Sequence, residues 1–105
     1  MNKINILGTE YTIQCKKVDE YPRLENNEAI TNLNTKTIIV SQRERPKDYE
    51  NKILRHEIIH AFLYESGLSC NSNDTIMWAE NEEMVDWFAI QSPKIFEVYK
   101  KLGVI

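Results

Sequence analysis

Along the chain, the spacing of hydrophobic positions changes its period once. From Lys3 to Gln42 apolar and polar residues alternate and β-branched types dominate, in Ile4/Ile6, in Tyr11/Ile13/Cys15 and in Thr35-Lys36-Thr37-Ile38-Ile39-Val40. Alternation suits a half-buried strand, so these three segments are predicted strands. Gly8-Thr9 offers a tight turn between the first two, and Asn26-Asn27 with Asn32 to Asn34 supply turn chemistry before the third. The economical expectation is an antiparallel meander of about three strands.

After Arg43-Glu44-Arg45-Pro46 the spacing becomes helical. One helix is predicted from Lys47 to Ser66, with Pro46 in its first turn and Gly67 as its C-terminal cap. Its stripe Leu54/Ile58/Ala61/Phe62 and a second stripe Ile59/Leu63 leave little polar surface, which predicts an element in the middle of the domain. A polar break from Ser69 to Asp74 precedes a second helical stretch, from Thr75 to Ile90. Ser92-Pro93 then reads as an N-cap and first helical residue, opening a last helix with Ile95, Phe96, Val98, Tyr99 and Leu102. The aromatics Trp78, Trp87, Phe88, Phe96 and Tyr99 at helical spacing are read as core. The expected fold class is therefore α+β, a single domain over residues 1–105: a small antiparallel sheet packed on one long helix, a second helix and a C-terminal helix.

Composition narrows the function classes. The 105 residues are 42% hydrophobic and 28% charged, with three Gly and three Pro, which excludes collagen-like and low-complexity chains. Thirteen basic against sixteen acidic residues give a net charge of -3, so nucleic acid is not an expected direct partner. No window approaches the ~18 apolar residues of a membrane helix, and Met1 to Leu7 lack a secretory apolar run. The expectation is a cytoplasmic protein with no membrane partner. Cys15 and Cys70 stand isolated and are read as buried free thiols, not as a disulfide or a thiolate metal site.

The chemistry concentrates in Leu54-Arg55-His56-Glu57-Ile58-Ile59-His60, which holds both histidines of the chain in the pattern H-E-x-x-H. Four residues are slightly more than one helical turn, so His56 and His60 project from one face, close enough to grip one ion. Glu57 beside them can reach a water held by that ion and take its proton as catalytic base. Zinc (Zn2+) is the favoured cofactor, because two imidazoles, a carboxylate and a water make a four-coordinate catalytic site; manganese, cobalt or iron are chemically admissible. A third metal ligand must come from another segment, and the next helix offers Asn81-Glu82-Glu83-Met84-Val85-Asp86.

His56-Glu57-x-x-His60 followed by Asn81-Glu82-x-x-x-Asp86 resembles the signature of gluzincin metallopeptidases. The resemblance implies that Glu82 is the third zinc ligand and that Asp86, one turn later on the same face, hydrogen-bonds His56 from behind the metal. More narrowly, the strands before the helix and the acidic second helix ending in Trp87-Phe88-Ala89 are similar to the ImmA/IrrE-type metallopeptidases, many of which belong to phages and mobile elements. The stronger likeness covers about Ile53 to Ile90. The Glu-Ala-Asn-x-Phe-Ala wording frequent there is replaced by Glu83-Met84-Val85-Asp86-Trp87-Phe88-Ala89, which keeps Glu83 as the alternative metal ligand.

The resemblance implies a zincin-like fold and zinc-dependent hydrolysis of peptide bonds in a peptide or protein substrate. No further histidine is left to stabilise an oxyanion. Tyr64, one turn after His60, is a candidate for that role, with packing against the sheet as the alternative. The strand from Thr37 to Ser41 is either an edge that holds an extended peptide as an added strand or ordinary sheet interior. Two other function classes stand beside the peptidase: a catalytically inactive zinc-binding regulatory or interaction domain of the same fold, and a different zinc hydrolase. Retention of a base-like Glu57 favours an enzyme.

Overall fold

The computed structural model describes residues 2–67 and 82–105, with the side chains of Glu82, Val85, Asp86 and Ala89 outside the description. It is a small α+β domain. Among the described residues four strands, β1 (Asn2–Ile6), β2 (Thr9–Lys16), β3 (Ala29–Asn32) and β4 (Thr37–Ser41), form one sheet in the order β1-β2-β4-β3. Among the described residues two long helices follow, α1 (Lys47–Glu65) and α2 (Glu82–Leu102). Among the described residues no helix is long and apolar enough to cross a membrane.

The sheet is mixed, which corrects the antiparallel meander expected from the sequence. β1 and β2 pair antiparallel, and so do β3 and β4, but β2 and β4 run parallel. The additional strand, β3, is only four residues long and lies between the two asparagine clusters that read as one continuous turn region. β3 and β4 form their own hairpin, and β4 inserts between β3 and β2, where it lies parallel to β2. Its composition fits that central place. Ile38-Ile39-Val40 does not alternate, and every residue of β4 is buried, the pattern of a strand covered on both faces.

Two hairpins set the register. At the first, Leu7 and Gly8 take φ of +53° and +96°, the left-handed pair that a two-residue hairpin needs, and Asn5 Oδ1 accepts the Gly8 N–H at 2.8 Å. The turn residues are therefore Leu7-Gly8, with Thr9 already in the strand. At the second, Asn32 Oδ1 accepts the N–H groups of Asn34 and Thr35, folding the chain back toward Thr37.

The helical side of the sheet carries the main core: Ile4, Ile6, Tyr11, Ile38 and Val40 pack with Ile58, Ala61 and Phe62 of α1 and with Trp87, Ile95, Val98 and Tyr99 of α2. The opposite side is closed beneath β3 and β4 by a short 3-10 helix, Pro22–Asn26, whose Leu24 packs on Ile30 and Ile39. Cys15 is exposed, contrary to expectation. The described β1–β2 pairing ends at Asn2 and Ile13, so among the described residues no strand pairs with Cys15 on that side. Cys70 lies outside the described residues.

Helix α1 begins at Lys47 as expected, with Pro46 just before it, and ends where Gly67 takes φ +84° and bonds back to the Tyr64 carbonyl. α2 corrects a second expectation. Ser92-Pro93 does not start a new helix; Pro93 lies inside one that continues to Leu102. The buried residues Trp87, Ile95, Val98 and Tyr99 form one stripe running through the proline, so packing holds both halves on one axis. Pro93 itself is exposed, where water can replace the missing N–H. Phe96 falls off the stripe at 50% exposure, not in the core. Trp78 and the stretch before Glu82 lie outside the described residues.

If α2 is one helix, Pro93→Ala restores an interior hydrogen bond. The expected outcome in urea unfolding is a gain of up to about 3 kcal/mol. No gain would mean the helix is broken there.

Candidate metal centre

His56 and His60 project from α1 as their four-residue spacing dictates, and both rings are exposed. Their Nε2 atoms lie 3.1 Å apart, with ring centroids at 4.8 Å and planes at 73°. Two nitrogens each ~2.0–2.1 Å from one tetrahedral ion would stand about 3.3 Å apart. The observed separation therefore fits a shared cation without moving either ring far. It is also a hydrogen-bonding separation, with the ring tautomer deciding which nitrogen donates.

Glu57 occupies the next position around the helix and differs sharply in environment, at 7% exposure. A buried carboxylate needs a partner. Thr31 of β3 provides it: the threonine hydroxyl lies 2.8 Å from Glu57 Oε1 and 3.2 Å from the Glu57 main-chain oxygen. His56, Glu57 and His60 together line a cleft of about 320 Å³, whose other wall is Asn27, Ala29, Thr31 and Leu33, the alternate residues of β3 and its flanks. Leu63 and Tyr64 close one end.

The strand beside the site is β3, an edge of the sheet, and not Thr37–Ser41, which lies in the interior between β2 and β3. Ser41 N–H donates to the Glu28 carbonyl at 2.9 Å, which fixes the alternation of the β3–β4 ladder. Glu28, Ile30 and Asn32 then face β4, while the N–H and C=O groups of Ala29 and Thr31 face the outer edge, which among the described residues no strand covers. The sequence reading missed Thr31 and this edge. The available signal was the alternation Ala29/Thr31/Leu33 between the asparagine clusters.

Tyr64 is not packed into the core; it is 36% exposed at the cleft. The Lys36 ammonium lies 4.7 Å above its ring centroid. Lys36 takes φ +55° at the end of the β3–β4 turn and pairs with Glu65 at 2.9 Å. Glu65 also accepts from Tyr11 at 2.6 Å and Thr9 at 3.1 Å, tying the last turn of α1 to β2. Burial alone would push the Glu65 carboxyl up, but the hydrogen bonds from Tyr11, Lys36 and Thr9 outweigh it and hold the group below its ordinary 4.5. Burial, and then the carboxylate it serves, push the Tyr11 phenol well above its ordinary 10.

The helix bearing the proposed third ligand is anchored to the same end of α1. Trp87 Nε1 donates to Ser66 Oγ at 2.7 Å, six residues beyond His60. The side chains of Glu82 and Asp86 lie outside the described residues, and so does Asn81. Glu83 is described and exposed. Among the described residues no three His, Cys, Asp or Glu side chains form a metal-sized group. The donor chemistry present is thus two imidazoles with a buried carboxylate beside them, which suits a borderline-soft divalent ion. Comparison with protein-family models, curated proteins and solved structures finds no match to this chain.

The Glu65 cluster sets an acid limb of stability. A carboxyl held low in the fold adds stability above its unfolded pKa, and that contribution is lost as pH falls below about 4.5. Thermal midpoints measured from pH 7 to pH 3 should therefore fall less steeply in Glu65→Gln than in the wild-type chain. Parallel curves would contradict the assignment.

Proposed function

We propose that the chain is a zinc-dependent metallopeptidase with a zincin-like fold, in which His56 and His60 hold the metal and Glu57 is the base. The single observation that carries this reading is the facing pair of Nε2 atoms, 3.1 Å apart, with the carboxylate of the intervening H-E-x-x-H glutamate in the same cleft. Glu82 is the proposed third ligand, with Asp86 orienting His56, and Glu83 is its alternative; these three roles rest on the resemblance to gluzincins.

A zinc ion bound there supplies a Lewis acid and lowers the pKa of a coordinated water toward ~7. Glu57 takes a proton from water at the cleft and returns it to the departing amine. The open edge of β3 supports a peptide substrate, since the outward backbone groups of Ala29 and Thr31 can pair with an extended chain laid along the cleft. Pairing of that kind would set the peptide bond against the histidines and spend no side-chain specificity on holding it. Tyr64, at the cleft end beneath Lys36, is the proposed donor to the developing oxyanion. The ImmA/IrrE-type likeness extends the proposal to a cytoplasmic, phage-like peptidase acting on a protein substrate.

The inactive alternative, a zinc-binding interaction domain of the same fold, predicts metal without hydrolysis. Defined peptides incubated with the zinc-loaded chain separate the two. The expected outcome is cleavage that falls by roughly 10²–10⁴-fold in Glu57→Gln with zinc retained. Zinc bound at full stoichiometry with no cleavage of any peptide supports the inactive domain.

A further inference from the structure

The Thr31 hydroxyl is the one side-chain group, among the described residues, that bonds the Glu57 carboxylate. It reaches two acceptors, Oε1 at 2.8 Å and the main-chain oxygen at 3.2 Å, but carries a single proton, which goes to the nearer, charged oxygen. Its position is doubly constrained. A β-branched side chain has few rotamers, and its backbone is held by the flanking pairs Ile30–Ile39 and Asn32–Thr37 of the β3–β4 ladder. Glu57 is buried, so water competes little for the bond. With Oε1 held, Oε2 takes no hydrogen bond among the described residues and is left for the cleft that Glu57 shares with His56 and His60.

We propose that Thr31 is a positioning residue for Glu57: its hydroxyl fixes the carboxylate rotamer while its own backbone N–H and C=O face the open edge of β3, so one residue couples the base to the strand along which a peptide would lie. The proposal rests on the reading of Glu57 as the base. It accounts for a polar residue on the face of a short strand turned toward α1. A purely structural threonine would tie strand to helix equally well through the main-chain oxygen alone, and it would leave the carboxylate free to turn.

The test combines a readout on the metal-free chain with kinetics. In protein carrying ¹³C-labelled glutamate, the Glu57 carboxyl resonance is assigned by its loss in Glu57→Gln. Thr31→Val, which removes the hydroxyl at nearly constant shape, should move that resonance, and Thr31→Ser should leave it near its wild-type position. With zinc bound at unchanged stoichiometry, Thr31→Val should lower kcat by about 10–100-fold with KM nearly unchanged, and Thr31→Ser should restore most of it. If the valine variant does not fold, Thr31→Ala is read in the same way.

An unmoved resonance in Thr31→Val overturns the proposal, and so does a kcat equal to wild type. Equal impairment of Thr31→Ser and Thr31→Val assigns Thr31 to shape alone and also overturns it. A moved resonance together with a wild-type chain that cleaves no peptide is a different result: the hydrogen bond stands, the peptidase reading fails, and the positioning role fails with it.

Discussion

The contact between β3 and the flank of α1 is the constraint on which the rest of the molecule depends. α1 carries the histidines on its exposed side and the apolar residues Ile58, Ala61 and Phe62 on its buried side, so its rotation is set by burial in the main core. That rotation leaves Glu57 between the two environments, on the side of the helix that meets β3. A carboxylate there is tolerable only with a donor in reach, and among the described residues Thr31 is that donor. Packing, the placement of the Glu57 carboxylate and the exposure of the β3 edge are thus consequences of one alignment.

Both ends of that alignment are fastened. At the C-terminal end of α1, Glu65 gathers Tyr11, Thr9 and Lys36, while Ser66 receives the indole of Trp87 from α2. At the other end of the contact, Arg55 Nη1 donates to the Val104 carbonyl, joining the residue before His56 to the segment after α2. The histidine pair therefore sits on a helix that cannot easily rotate or slide against the sheet. Rigid placement of this sort is what a metal-binding pair requires if its two nitrogens are to stay within reach of one ion.

Much of this was legible in the sequence where the signal is local. The H-E-x-x-H spacing put His56 and His60 on one face because helical geometry admits no other result, and the helix start at Lys47 and its stop before Gly67 followed from proline and glycine chemistry. What escaped was non-local. β3 has four residues and two turn clusters around it, so its identity depends on pairing with β4, not on its own pattern. The parallel pairing of β2 with β4 has no local signature beyond the unbroken Ile38-Ile39-Val40 run. Pro93 reads as a helix start in isolation, and only the stripe from Trp87 to Tyr99 packing on the core reveals a continuous helix. Thr31 could not be named as the partner of Glu57 without the strand that carries it.

The central claim is that the two imidazoles of α1 hold a divalent ion, and X-ray absorption at the zinc edge of the zinc-loaded protein tests it most directly. The account predicts two imidazole nitrogens at ~2.0–2.1 Å with oxygen completing the shell. Sulfur scatterers at ~2.3 Å, which would place the ion on Cys15 or Cys70, or a spectrum of freely hydrated zinc, would contradict it.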